Sequence, residues 1–241
     1  MTSALIQELA PSGSLRAAIN MINFLLVSGR GPQGEPQGVG PDMARAIADE
    51  LGVGLQLLPY ASPGELADAA RDSAWDIGLI GAEPARAQHI TFTSAYVEIE
   101  ATYLVPPGSA IEHLSQVDQP GVRIAVASRS AYDLWLQRNI AQATLVHAEG
   151  FDATFEMFQN DRLDALACLR PRLISDAKAW PGSRILEGRF TAVQQAIGTL
   201  KRNTHAAPFL QDFVQRAIRS GLVQQLIDRH KVQGLSVAAI P

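Results

Sequence analysis

The chain has a single cysteine, Cys168, so no intrachain disulfide can staple it, and a lone thiol inside an apolar run reads as a packing residue. It also lacks any apolar stretch approaching the ~20 residues that span a bilayer. Basic clusters are missing: 20 Lys and Arg against 24 Asp and Glu leave a net charge of −4, scattered without a patch, which excludes the electrostatic footprint of a nucleic-acid partner. Enzyme signatures are absent as well. There is no Gly-x-Ser-x-Gly elbow, no Gly-x-x-x-x-Gly-Lys phosphate loop and no His-Glu-x-x-His, and Gly38-Val39-Gly40 precedes a helix without a strand just before it. His89, His113, His147, His205 and His230 fall at spacings that match no local metal motif, so neither a metal nor a cofactor is expected. Nor does the start resemble a secretory leader, because Glu8 stands where a basic residue is needed and the apolar stretch is too short. The expectation is either a mature form carrying an added Met1 or a cytoplasmic chain.

What is present is a plan used twice. Trp75-Asp76-Ile77-Gly78-Leu79-Ile80-Gly81-Ala82-Glu83-Pro84-Ala85-Arg86 and Leu163-Asp164-Ala165-Leu166-Ala167-Cys168-Leu169-Arg170-Pro171 each end a short apolar strand on a segment holding an arginine. Around them the periodicity predicts β-α-β-α-β in each half. In the first half, strands are expected over 14–20, 55–59 and 76–80. Helices are opened by Gly40-Pro41-Asp42, with Met43, Ile47 and Leu51 on one face and Gly52 as its stop, and by Ser62-Pro63. Residues 28–40 read as a surface loop. After a β-prone run over 96–105 and the break at Pro106-Pro107-Gly108-Ser109, the second half has strands over 122–127, 144–147 and 164–169. Its helices start at Ser130 and run over 151–160, with Phe151, Phe155 and Phe158 as a stripe. Weaker strands at 185–186 and 195–200 precede terminal helices over 209–220 and 222–231, joined through Gly221. Parallel strands linked by helices bind ligands beyond their carboxyl ends, so two such lobes facing one cleft, with two chain crossings as a hinge, are expected.

Together, Ser12 to Asn20, the helix segment over 38–52, Trp75-Asp76 through Arg86 followed by Ile90-Thr91-Phe92-Thr93-Ser94-Ala95-Tyr96, and Asn160-Asp161-Arg162-Leu163-Asp164-Ala165 resemble the family 3 extracellular solute-binding proteins. These are the periplasmic components of polar amino-acid ABC importers, and the resemblance covers nearly everything from Pro11 to Ala238. It implies a bilobal α/β fold of the type II periplasmic-binding-protein kind. Lobe 1 is expected at 1–101 plus 199–241 and lobe 2, inserted, at 102–198. It further implies a monomeric periplasmic protein, with a cytoplasmic location as the alternative, whose partners are a carboxylate-bearing ligand and a membrane permease.

In that family the arginine between the third strand and the Phe-Ser/Thr-x-x-Tyr element grips the ligand carboxylate, and Arg86 holds this position. A rigid guanidinium fork suits two carboxylate oxygens. Without the resemblance, Arg86 reads as an exposed helix residue paired with Glu83. Gly81, Ala82 and Glu83 form the turn before it, where Glu83-Pro84 equally suits a helix start. In lobe 2, Ser128, Arg129, Ser130 and Tyr132 occupy the family's helix-start turn, whose N–H groups can take an anionic oxygen; Arg129 adds a cation there or is a solvated loop residue. Where amino-acid binders carry an aspartate for the ligand ammonium, this chain has Leu169, followed by Arg170, so a carboxylate without that amine is favoured, or an amine met by another group such as Glu83. Asn20, Asn23 and Phe24 are expected at the cleft mouth. Tyr96, Trp75, Trp135 and Trp180 read as packing. The function expected is non-enzymatic capture of an organic acid or amino acid by hinge closure. The alternatives are an enzyme similar to the cyclohexadienyl dehydratases, with Glu83 as acid/base, and a sensory binder without transport.

Overall fold

The computed structural model describes residues 2–240. In chain order the elements are α1 (Ser3–Leu9), β1 (Ser14–Asn20), β2 (Gly29–Arg30), β3 (Pro36–Gln37), α2 (Val39–Leu51), β4 (Gly54–Tyr60), α3 (Pro63–Asp68), β5 (Ile77–Gly81), β6 (Ile90–Phe92), β7 (Val97–Val105), β8 (Arg123–Ala127), α4 (Ala131–Asn139), β9 (Thr144–Ala148), α5 (Gly150–Asn160), β10 (Ala165–Leu169), α6 (Arg170–Ala179), β11 (Arg184–Ile185), β12 (Thr191–Leu200), α7 (Ala206–Arg219), α8 (Leu222–Arg229) and β13 (Ser236–Val237). The chain divides into two compact units, Met1–Glu98 with Gln194–Pro241, and Ile99–Val193. Both passages between them lie inside strands, β7 and β12.

In the first unit the strands run in the order β4-β1-β5-β12. β4 and β5 are parallel to β1, and β12 is antiparallel to β5. Helix α2 begins after Gly38, which must be glycine because its φ is 147° and a Cβ there would run into the Leu26 carbonyl. It stops where Gly52 turns left-handed at a φ of 70° and donates its N–H to Ala48. Met43, Ile47 and Leu51 are buried with Leu15, Ile19 and Leu79 of the sheet and Phe213 and Leu226 of α7 and α8. Each such side chain contributes about 1.5–3 kcal/mol by leaving water. Trp75 is fully buried and donates its indole N–H to the Leu66 carbonyl at 3.0 Å.

The second unit repeats the design with strand order β7-β10-β8-β9. β8 runs parallel to β9 and β10, while β7 is antiparallel to β10. Phe158 is buried in α5 and meets Trp180 edge-on at 5.3 Å, and Phe155 meets the same indole at 6.4 Å. Phe151, half-buried at the start of the stripe, lies under the Arg172 guanidinium at 5.6 Å.

The aspartate that opens each copy of the repeated sequence plan has the same task in both units. Asp76 accepts from the Arg16 backbone N–H at 2.9 Å and from its guanidinium at 2.7 and 3.1 Å, while its own N–H returns to the Arg16 carbonyl. Asp164 does the same for Arg123, with the backbone bond at 2.8 Å and the guanidinium at 3.7 Å. These staples tie the start of each third strand to the first.

Three local expectations change. The segment before β1 holds a helix, α1, capped by the Thr2 hydroxyl, with Leu5 and Leu9 buried and Glu8 bound to the start of α7. The loop over 28–40 contains the small ladder β2–β3. The weak strand expected at 195–200 is the ten-residue β12, because its partners β5 and β6 dictate its conformation despite Gln194 and Gln195.

Candidate functional site

Two strand ends in the first unit carry the residues of interest. β1 finishes at Asn20 and enters a tight turn, in which the Asn20 carbonyl accepts from the Asn23 N–H at 3.3 Å. The Asn23 carbonyl in turn accepts from Leu26 and Val27, so both asparagines stand on one short, well-tied segment. Asn23 is buried, and the side-chain oxygens of both Asn20 and Asn23 are enclosed without a hydrogen-bond donor among the described residues. Phe24, just beyond, is 39% exposed, which is unusual for so large an apolar side chain.

Neighbouring β5 ends at Gly81, and Ala82 donates its N–H to the Gln194 carbonyl at 2.7 Å. The Glu83 carbonyl then accepts from both Arg86 and Ala87, which folds 84–88 into a turn and a short 3-10 helix, Arg86–Gln88. Glu83-Pro84 therefore does not start an α-helix. Arg86 is not an exposed helix residue either: it is 6% exposed, and its Nη1 donates to the Gly81 carbonyl at 2.6 Å. The guanidinium is thus drawn back to the end of β5. The register Ile19↔Leu79 puts that strand end beside the Asn20 turn.

In the second unit the turn after β8 is arranged differently. Ser130 caps α4, accepting from the Asp133 N–H at 3.1 Å. The wholly buried Asp133 carboxylate accepts from the Arg129 N–H at 2.7 Å and from Gln137 at 3.0 Å, and lies 2.9 Å from His147 Nε2. Ser128 donates its N–H to Ala148, and Ser130 donates its own to Ala127. The N–H groups of Ser128, Arg129 and Ser130, expected to be offered to an anionic oxygen, are therefore engaged inside the unit. An internal carboxylate takes the place of an anion at this helix start. Arg129 stands exposed in the left-handed region with a φ of 57°. Sequence reasoning missed Asp133, though Ser130-x-x-Asp133 is the helix-start pattern that could have revealed it.

Tyr132 is buried, its hydroxyl 3.6 Å from the Cys168 sulfur, and burial pushes that thiol up to about 12. Leu169 is a buried strand end. Arg170, the first residue of α6, donates to Glu100 at 2.7 Å and to the Gly188 carbonyl, with Arg189 3.7 Å from the same glutamate. Its partner Glu100 lies far away in sequence on β7, and no local pattern announces it.

His205 pairs with Glu8 at 2.9 Å, and His230 lies 2.9 Å from Asp42 on α2. Among the described residues no group of three His, Cys, Asp or Glu side chains is placed to hold a metal ion, and no helix is long and apolar enough to cross a membrane.

The architecture is shared with solved structures along nearly the whole chain. A mutant of ArgBP from T. maritima superposes with a TM-score of 0.75 at 19% identity, covering 95% of this chain and 100% of that one. An amino acid ABC transporter substrate-binding protein from Streptococcus pneumoniae Canada MDR_19A, bound to L-arginine, gives 0.74 at 20% identity with 98% and 100% covered. The ancestral amino acid-binding protein AncCDT-1, a precursor of cyclohexadienyl dehydratase, gives 0.74 at 20% with 93% and 97% covered. No curated protein matches the chain in sequence. The fold is the mixed α/β fold of type II periplasmic binding proteins. The profile of the bacterial extracellular solute-binding proteins, family 3, matches residues 26–233, and the chain belongs to that family.

Proposed function

We propose that this protein captures a small carboxylate-bearing solute outside the cytoplasm and delivers it, as a monomer, to an ABC-type permease, without chemical change to the solute. The observation that carries this reading is Arg86. A guanidinium that is 6% exposed and tied to a strand-end carbonyl is held in one orientation, and its planar fork matches the two oxygens of a carboxylate. Gly81, Ala82 and Glu83 shape the turn that carries it. In the second unit Ser128, Arg129, Ser130 and Tyr132, together with Leu169 and Arg170, are the residues proposed to meet the solute. For that turn the side chains, rather than the committed N–H groups, would do so. Hinge closure, expected from the sequence, is the proposed means of capture.

Titration calorimetry against a panel of organic acids and amino acids tests this. Arg86→Ala is expected to weaken binding by about 100-fold or more, the scale of a lost charge-assisted pair, and Arg86→Lys to restore little of it. Unchanged affinity in Arg86→Ala would remove the anchor. Turnover of prephenate or arogenate, abolished in Glu83→Gln, would replace the transport reading with an enzymatic one.

A further inference from the structure

Two enclosed amide oxygens on one turn are an expensive arrangement. A buried acceptor without a donor keeps the full penalty of losing its water, and buried polar side chains are nearly always satisfied. Asn20 and Asn23 both present such an oxygen, and Asn23 is only 4% exposed. Their turn follows β1 directly and lies beside the end of β5, to which Arg86 is tied. In parallel α/β sheets this carboxyl edge is where ligands bind. We infer that the Asn20–Asn23 turn receives an uncharged N–H or O–H donor of the solute, so that the protein selects acids with a neutral polar pole over acids with a cationic one.

The argument turns on charge. A carboxamide oxygen accepts a hydrogen bond as well as a carboxylate does but brings no counter-charge, and a desolvated ammonium or guanidinium needs one. The turn itself adds no charge, since neither asparagine is ionised, so a cationic group seated on it finds no counter-ion among the groups it touches. A urea, amide, lactam or hydroxyl group satisfies the two oxygens without a net charge, whereas a guanidinium or ammonium there is left uncompensated. The inference rests on the reading of Arg86 as the carboxylate anchor.

The test uses the whole chain and matched acids that differ only at the distal pole, ureidoalkanoates against guanidinoalkanoates and monoamides of dicarboxylic acids against aminoalkanoates, over a series of chain lengths. Calorimetry on the wild-type protein is expected to favour the neutral member of the best-binding pair by about tenfold or more, one unsatisfied polar contact in scale. Asn20→Asp is expected to reverse that preference. Asn23→Leu is expected to weaken the neutral acid by about tenfold while raising the melting temperature of the ligand-free protein by about 2–4 °C, because the enclosed oxygen is gone. Equal or better binding of the cationic member, or Asn20→Asp and Asn23→Leu variants that bind like wild type, overturns this inference and leaves the Arg86 anchor standing. A wild-type protein that binds no acid at all overturns the anchor and this inference with it. Asn23→Leu that binds the acid as wild type does but melts lower makes the residue structural and also overturns it.

Discussion

The two units share a strand order, with the first strand of each lying between the second and third and an antiparallel strand beyond the third, yet they finish the same edge in different ways. After β8, the second unit turns its backbone N–H groups inward and fills the start of α4 with its own carboxylate, Asp133. After β1, the first unit encloses two amide oxygens that nothing among its described residues satisfies, beside a buried arginine. One edge is internally complete and the other is not. The difference teaches that duplicated architecture does not imply duplicated chemistry: one unit leaves polar groups unmatched at this edge, where the proposed recognition falls, and the other matches its own. The Asp–Arg staples at the opposite ends of the strands reverse the emphasis. Asp76 is 2% exposed and bidentate, whereas Asp164 is 41% exposed with its guanidinium partner at 3.7 Å.

The sharpest way to break this contrast is to remove both staples. Asp76→Ala is expected to cost about 2–4 kcal/mol, since it strands the Arg16 guanidinium and a backbone N–H. Asp164→Ala should cost less than about 1 kcal/mol, because water screens an exposed pair. Equal shifts of the denaturation midpoint would erase the distinction. Next in size is the inner carboxylate of the second unit. Asp133→Ala is expected to destabilise by about 2 kcal/mol by releasing Arg129 N–H and Gln137, opposite in sign to the stabilisation expected of Asn23→Leu in the first unit. A smaller effect concerns Tyr96, fully buried with a hydroxyl that has no partner among the described residues. Tyr96→Phe should be neutral or stabilising by about 1 kcal/mol, measured as melting temperature, and a loss of stability would reveal a hidden partner.

The smallest effect is pH-dependent. Burial raises the Glu8 carboxyl, but hydrogen bonds from His205 and Ala206 outweigh it and hold the group below the ordinary glutamate range. A depressed carboxylate stabilises the fold above the unfolded value and loses that contribution as pH falls through the lower, folded one. Amide exchange in α1 should therefore quicken as pH drops below about 4 once the intrinsic rate is divided out. In Glu8→Gln this extra pH dependence should vanish.

Much of the chain was legible from local pattern. Met43, Ile47 and Leu51 with a closing Gly52 specify α2 within themselves, and Ser62-Pro63 and Ser130 announce helix starts through their own hydroxyls. What escaped is set by distant partners. β12 carries glutamines that read poorly as strand, and pairing with β5 and β6 holds it as one. The seven residues of α1 are too few to hold a helix without the core that receives Leu5 and Leu9. The place of Arg86 just after β5 is legible in the sequence, but its burial is not, because the 3-10 turn that returns it to Gly81 depends on carbonyl geometry rather than on residue type. The enclosed oxygens of Asn20 and Asn23 could not be read at all, since an asparagine in a turn is ordinarily solvated.

The sulfur of Cys168 has a practical consequence. Buried beside Tyr132 and held protonated by that burial, it is shielded from oxidants and alkylating dyes, which need a thiolate nucleophile to react with. A thiol buried in this way does not cross-link the protein to its neighbours. A single cysteine placed on its surface would also take a fluorophore cleanly, turning the native chain into a reporter of its own cargo without first deleting a residue.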